Sequence, residues 1–251
     1  MVLTTISKGV LRILHLNTAS FCRYSPLSLS IVVEQDDKMI GPYLDRLNQL
    51  AIVLASGSPR RKELLEQIGL KFAVVPSTFE ENLNKKAFSA PAEYARKNSE
   101  LKAKQVSETS HANLIIGCDT IVTVGGLILE KPRSTEEAKS MISALSGSHS
   151  EVHSGVSLMV RGEDGELKLA ASFTETTYVE FSSLSDDVIE AYIATEEPFD
   201  KAGGYGIQGS ASAFVRGIRG DYFNVVGFPI NHFCRELDQL IKNGSLKFLN
   251  D

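Results

Sequence analysis

Residues 51–61 read AIVLASGSPRR, and this stretch decides the architecture. Ile52, Val53 and Leu54 form a short apolar run of the kind that is buried in an α/β sheet. The small residues Ala55-Ser56-Gly57-Ser58 then make a turn, and Pro59 opens a helix whose first turn carries Arg60 and Arg61. Proline suits a first helical position because its missing N–H would be an unpaired donor there anyway. Ser58, immediately before it, is a good N-cap. A strand end would thus meet free helix amides, the favourable end of the helix dipole and two guanidinium groups, which together suit an anionic, phosphorylated ligand. A solvated helix start with two arginines has the same local pattern, so the stretch needs partners elsewhere before it specifies a site.

The chain has 251 residues, 43% of them hydrophobic. That is enough for a substantial core in one domain of about 200 residues plus an extension. A net charge of −5 argues against nucleic acid held by bulk electrostatics, which shows as a basic balance or stripe. An anion must instead be held by local convergence of basic groups. Cys22, Cys118 and Cys234 lie far apart, with no C-x-x-C pair and an odd total. This speaks against a disulfide framework or zinc site and fits a reducing, cytoplasmic setting. No apolar run approaches the roughly 18 residues that span a bilayer, so no membrane partner is expected.

Residues 1–33 contain no Asp or Glu, carry Lys8, Arg12 and Arg23, and are rich in Ser, Thr and Leu. Those three positive charges, set against the net −5, leave −8 on the remainder. An acid-poor, serine-rich basic leader has the composition of a transit peptide, which would direct the protein to a mitochondrion or plastid. Arginine is sparse for that role, and a working protein beginning at Met39 would make residues 1–38 dispensable. Residues 1–38 are therefore set apart as an extension and 39–251 are expected to form the working domain. Residues 40–50 (IGPYLDRLNQL) read as a short amphipathic lead-in to the first strand.

Helical apolar spacing at Leu64, Leu65 and Ile68 predicts a helix from Arg60 to Leu70, stopped at Gly69. Lys71–Pro76 is strand-like, and Ala90–Glu108 reads as a long helix with Tyr94, Leu101 and Val106 available for one face. The apolar run Asn113–Cys118 is followed at once by Asp119-Thr120, then by Ile121–Val124 and the turn Gly125-Gly126. Ser134-Thr135-Glu136-Glu137 resembles a helix start, and that helix runs to Gly147. Val152–Val160 and Leu167–Phe181 read as strands around the turn Gly162–Gly165. A helix over Ser185–Ala194, the glycine-rich loop Lys201–Gly209, a strand over Ala213–Ile218 and a last helix over Ile230–Ile241 complete the chain. Strands and helices alternate without internal repeat, which is α/β, and the hairpin makes the sheet mixed rather than purely parallel.

Several residues stand where chemistry could occur. Asp119 directly follows an apolar strand, where ligands of open α/β sheets bind, although capping a turn would also explain it. Lys131 precedes Pro132 and is therefore held extended, a rigid presentation that suits a phosphate. Glu80 and Glu81 lie in the polar run after a strand, which alone reads as a solvated loop. Lys201, Gln208 and the glycines between them form a loop whose backbone can approach a ligand closely, yet it is neither a P-loop nor a dinucleotide turn. His149 and His153 have no third ligand at recognisable spacing and read as structural. Together the set meets the needs of a nucleotide-polyphosphate hydrolase: cations for phosphate, carboxylates for a divalent ion and for activating water, and a polar loop for a nucleobase.

In order over residues 51–235 stand LASGSPRRKELLEQIG, the FEEN acidic pair, the lysine helix before GCDTIV, LEKPRSTEEA, LSGSHSEVHSGV, EPFDKAGGYGIQG and NVVGFP. With these elements the chain resembles the Maf family, the Maf/Ham1-like nucleoside triphosphate pyrophosphatases. The resemblance implies an ITPase-like fold, a mixed twisted sheet with two lobes around a central cleft, and a homodimer. It implies hydrolysis of a nucleoside triphosphate to the monophosphate and pyrophosphate with Mg²⁺ or Mn²⁺. Asp119 matches the family's general base, and Arg60, Thr120 and Gln208 match positions linked to substrate choice. Ser56, Arg61, Glu80, Lys102, Lys131 and Lys201 fall on other site positions, with Glu80 and Asp119 expected to hold the metal ion. AGGYGIQG resembles the branch acting on dTTP and UTP. Ser154 and Ser210-Ala211-Ser212 depart from the usual family residues, and the basic leader lies outside the pattern. A nucleotide-binding regulatory protein without turnover and a nucleotidyl-transferring enzyme are the alternatives, the latter needing an acceptor pocket that the residues do not reveal.

Overall fold

The apolar run at the start of the domain becomes strand β1 (Ile52–Leu54), buried along its length. It lies parallel between β2 (Ala73–Val74) and β3 (Leu114–Val124), with Leu54 opposite Val74 and Ile116. β4 (Leu127–Leu129), β5 (His149–Arg161), β6 (Leu167–Phe181) and β7 (Val215–Arg219) follow in the chain. In this computed structural model, which describes residues 39–248, these strands make one seven-stranded sheet. Its order is β2-β1-β3-β5-β6-β7, with β4 paired to β3. The pairs from β3 through β7 are antiparallel, so the sheet is mixed, as the hairpin predicts. The helices are α1 (Leu44–Leu47), α2 (Pro59–Gln67), α3 (Pro91–Ser107), α4 (Thr135–Leu145), α5 (Asp186–Ile193), α6 (Tyr222–Val226) and α7 (Ile230–Lys242). The leader, residues 1–38, lies outside the described residues. Among the described residues no helix is long and apolar enough to cross a membrane, and Cys118 and Cys234 are buried, free thiols.

Three local expectations change. Asp119 does not follow a strand. It sits inside β3, which continues unbroken because β5 pairs with it from Leu114 to Val124 and puts Gly155 opposite Asp119. Since β1 ends opposite Ile116, Asp119 nevertheless lies just beyond the carboxyl end of β1. The strand-like Lys71–Pro76 contracts to the two residues of β2. On α3, Tyr94 and Val106 are buried as expected, but the rest of the buried face is small or polar. Its buried residues are Tyr94, Ala95, Asn98, Ser99, Ala103 and Val106, and Leu101 is only half-buried.

The small side chains of that face explain how close α3 comes to the sheet. Ala95, Ser99 and Ala103 recur every four residues and therefore share one side of the helix. They meet Gly117 of β3 and Gly155 of β5. A Cβ at Gly155 would stand 2.4 Å from backbone atoms of Ala95 and Arg96, and one at Gly117 would stand 2.3 Å from the Ser99 carbonyl oxygen. The helix backbone thus rests directly on two glycines.

The core falls into two large clusters. One joins β1, α2 and α7 through residues such as Leu54, Leu65, Phe228 and Leu237; the other joins α4, α5 and β6 through Ile142, Leu145, Tyr192 and Val179. His153 is buried in the sheet, its ring nitrogens 2.9 Å from Thr176 Oγ1 and 3.3 Å from Thr123 Oγ1, consistent with a structural role. Burial holds its imidazole below the ordinary value of 6.5, and the Glu151 carboxylate offsets only part of that. The unfolded chain therefore takes up this proton first as pH falls. Stability contributed by neutral His153 is present above 6.5 and is lost progressively below it. The thermal midpoint is expected to fall from about pH 7 to about pH 5, with a shallower slope in His153→Gln. Equal slopes would remove His153 as a source of the effect.

Candidate active site

The turn after β1 and the start of α2 form one wall of an 800 Å³ cavity. Pro59 is the first helical residue and Ser58 holds the N-cap position with extended backbone, but its hydroxyl makes no capping bond. Its amide donates instead to Ser56 Oγ at 3.3 Å. The expected serine cap is thus replaced by a turn that folds onto Ser56, and Ser56 in turn accepts from Arg61.

Arg61 uses its guanidinium as a three-way brace. Nε donates to the Gly227 carbonyl at 3.1 Å, one terminal nitrogen to Ser56 Oγ at 2.8 Å, and the other to Thr120 Oγ1 at 2.9 Å. Arg60 turns the other way and pairs with Asp200 at 3.0 Å. Lys201 binds the second oxygen of the same carboxylate and donates to the Glu197 carbonyl at 2.8 Å. Partial burial works against the Asp200 charge, but the bonds from Lys201 and Arg60 outweigh it and hold the carboxyl below its usual value. Lys131 is exposed on the cavity wall and makes no hydrogen bond or ion pair among the described residues. Gln208 is exposed on the wall formed by the glycine-rich loop. Glu197 secures that loop by accepting from the Tyr192 hydroxyl at 3.2 Å and the Ser210 amide at 2.9 Å.

The acidic side of the site is built by α3. Lys102 reaches Asp119 Oδ1 at 2.6 Å and Glu81 Oε1 at 2.7 Å. Burial alone would lower the Lys102 pKa; the charges of Asp119 and Glu81 more than compensate and raise it. Asn98, one helical turn earlier, donates Nδ2 to Asp119 Oδ2 at 3.0 Å. Asp119 is 4% exposed and lies behind the cavity lining, which at this point consists of Lys102, Glu81 and Thr120. Glu80 is exposed and does not line the cavity; Glu81 does. The carboxylate next to Asp119 is therefore the second of the FEEN pair, not the first.

The structure thus gathers Ser56, Arg60, Arg61, Lys102, Thr120, Lys131, Lys201 and Gln208 on one cavity, sets Asp119 just beneath its surface and leaves Glu80 outside. Sequence reasoning named Glu81 without giving it a site role, and it missed Asn98, Glu197 and Asp200. The signal for Asn98 was a polar residue on the buried face of a helix four residues before Lys102. Glu197 and Asp200 both stand in EPFDK. No group of three or more His, Cys, Asp or Glu among the described residues could hold a metal ion by itself.

A family model described as Maf-like protein matches residues 51–240. The chain is 45% identical, over 79% of its length, to a human protein named probable bifunctional dTTP/UTP pyrophosphatase/methyltransferase protein, and it spans only 33% of that protein. It is 45% identical to a dTTP/UTP pyrophosphatase of Bacillus cereus, covering 76% of this chain and 91% of the relative. A protein of the same name from Bacillus cytotoxicus is 46% identical, covering 77% of this chain and 97% of the relative.

Proposed function

The chain belongs to the Maf family, and on that premise we propose that it is a nucleoside triphosphate pyrophosphatase hydrolysing dTTP and UTP to the monophosphate and pyrophosphate. The observation that carries the reading is the convergence of Arg60, Arg61, Lys102, Lys131 and Lys201 on one cavity, with the Asp119 carboxylate directly beneath. Five cations around one space suit a polyphosphate on a protein whose net charge is −5. Both core clusters reach the cavity wall, one at Val226 and the other at Val122, Val152 and Tyr205, which supports a two-lobed reading of the fold with the cavity as its cleft.

In the proposed reaction, Asp119 accepts a proton from water as the water oxygen bonds to the α-phosphorus. The bond from that phosphorus to the bridging oxygen breaks, and its electron pair leaves with pyrophosphate. Asp119 reaches the water once Lys102 turns from Oδ1 to a phosphate oxygen. Arg60, Lys131 and Lys201 offset charge that builds on the leaving group, and preorganised groups of this kind contribute about 10²–10³ in rate each. The donor set fits a magnesium-like ion, which takes one or two carboxylates and completes its shell with water and phosphate oxygens. Glu81 and Asp119 are the side chains that would hold it, and the ion would supply positive charge to the triphosphate oxygens. Arg61, committed to Ser56, Thr120 and Gly227, acts as the frame of the site. Gln208 can present both a donor and an acceptor to the carbonyl–NH–carbonyl edge shared by uracil and thymine. A homodimer remains part of the proposal, carried by family resemblance.

The test is the full chain with Mg²⁺ or Mn²⁺ against the common triphosphates, with pyrophosphate and orthophosphate detected separately. Pyrophosphate from dTTP and UTP is expected. In Gln208→Ala, KM for these two should rise or the base preference broaden, with less effect on kcat; an unchanged profile would remove Gln208 from base selection. Tight nucleotide binding with no release from any triphosphate would make the protein a binding regulator instead.

A further inference from the structure

Helix α3 offers two side chains, one turn apart, to opposite oxygens of one carboxylate. Lys102 holds Asp119 Oδ1 at 2.6 Å and Asn98 holds Oδ2 at 3.0 Å. The two donors differ in freedom. Lys102 also bonds Glu81 and faces the cavity, where a phosphate can compete for its ammonium. Asn98 is fully buried, 0% exposed, and lies away from the cavity wall. Its amide orientation is determined, because a flip would set its carbonyl oxygen against a carboxylate oxygen. The carbonyl oxygen of Asn98 is itself buried without a hydrogen-bond partner among the described residues. An aliphatic side chain there would avoid that desolvation cost, so the amide returns something only through its bond to Asp119.

We propose that Asn98 is a positioning residue that holds Asp119 by Oδ2 while Lys102 leaves Oδ1 for a substrate phosphate, so that Oδ1 is the oxygen that meets the attacking water. This rests on the reading of Asp119 as the general base. A neutral, buried donor suits that role, because substrate cannot draw it away and it does not neutralise the base as a second ammonium would. The close seat of α3 on Gly117 and Gly155 is what brings Asn98 within reach.

The experiment compares the full-length protein with Asn98→Ala and Asn98→Asp, the second isosteric with the native side chain. It reads kcat and KM for dTTP and the affinity for a non-hydrolysable α,β-imido analogue. In Asn98→Ala, kcat is expected to fall about tenfold with analogue affinity within about twofold. Asn98→Asp should lower kcat at least as far, since a carboxylate has no amide proton to give Oδ2 and sets like charge against it. An unchanged kcat in a folded variant overturns the proposal. So does a loss of kcat that merely tracks lost analogue binding, which is the signature of a structural role. Asp119→Asn in the same series separates the two levels: full activity there sinks the base assignment itself. A dead Asp119→Asn beside a wild-type Asn98→Ala sinks only the role of Asn98.

Discussion

Asp119→Asn is expected to lower kcat for dTTP by roughly 10³-fold or more while the protein stays folded, the loss being that of a general base in a preorganised site. The substitution keeps the shape of the side chain, and the backbone of β3 keeps its register with β5 at Gly155. Lys102 retains Glu81 as a partner, so the buried ammonium is not stranded. KM should change little, because Arg60, Lys131 and Lys201, the proposed phosphate partners, are untouched. Pyrophosphate release and far-ultraviolet circular dichroism on the same preparation check both halves. Near-normal turnover in the folded variant would remove Asp119 from the chemistry and turn attention to Glu81, the cavity-lining carboxylate that shares Lys102 with it.

The second large effect concerns a residue with no side chain. Gly155→Ala places a methyl group 2.4 Å from the backbone of Ala95 and Arg96, where no side-chain adjustment can relieve the clash. Overpacking of this kind costs about 3 kcal/mol, equivalent to a fall of roughly 6–12 °C in Tm for a domain of this size. Activity should fall in the surviving folded fraction as well, because lifting α3 from the sheet draws Lys102 and Asn98 away from Asp119. Gly41→Ala is the control, since nothing lies within 4 Å of the Cβ position there. If the two variants unfold at the same temperature, α3 does not rest on Gly155.

What could be read in advance follows a physical division. Local signals transferred well: Pro59 does open α2, Ser134 does cap α4 by accepting from the Glu137 amide, and the two long strands do flank Gly162–Gly165. Signals that depend on a distant partner did not. Asp119 and Thr120 look like a strand end because two polar residues interrupt an apolar run. They remain inside β3 because Asn98, Lys102, Arg61 and Ser154 satisfy them from elsewhere in the chain. The choice between Glu80 and Glu81 is a matter of one residue in an irregular segment, where no period reports direction. The α3 face was legible in kind but misread in detail, since spacing of large apolar residues hid the small-residue row that the sheet glycines require. The cluster of cavity residues itself was legible through family resemblance, whereas Asp200 and Glu197 become visible only when Arg60 and the glycine-rich loop are seen against them.

The Arg61 brace bears on the kinetics of the chain as well as on its chemistry. It joins the start of α2 to the carbonyl of Gly227 across 166 positions, and Arg60 reaches Asp200 across 140. Contacts of such sequence separation form slowly, after local helices and the β5–β6 hairpin can already exist. Competence for catalysis is therefore a late event in folding, reached only when both ends of the domain have docked on the same sheet. A nucleotide spanning those two ends would favour the closed chain by mass action, so substrate acts as a clasp on the very topology that creates its site.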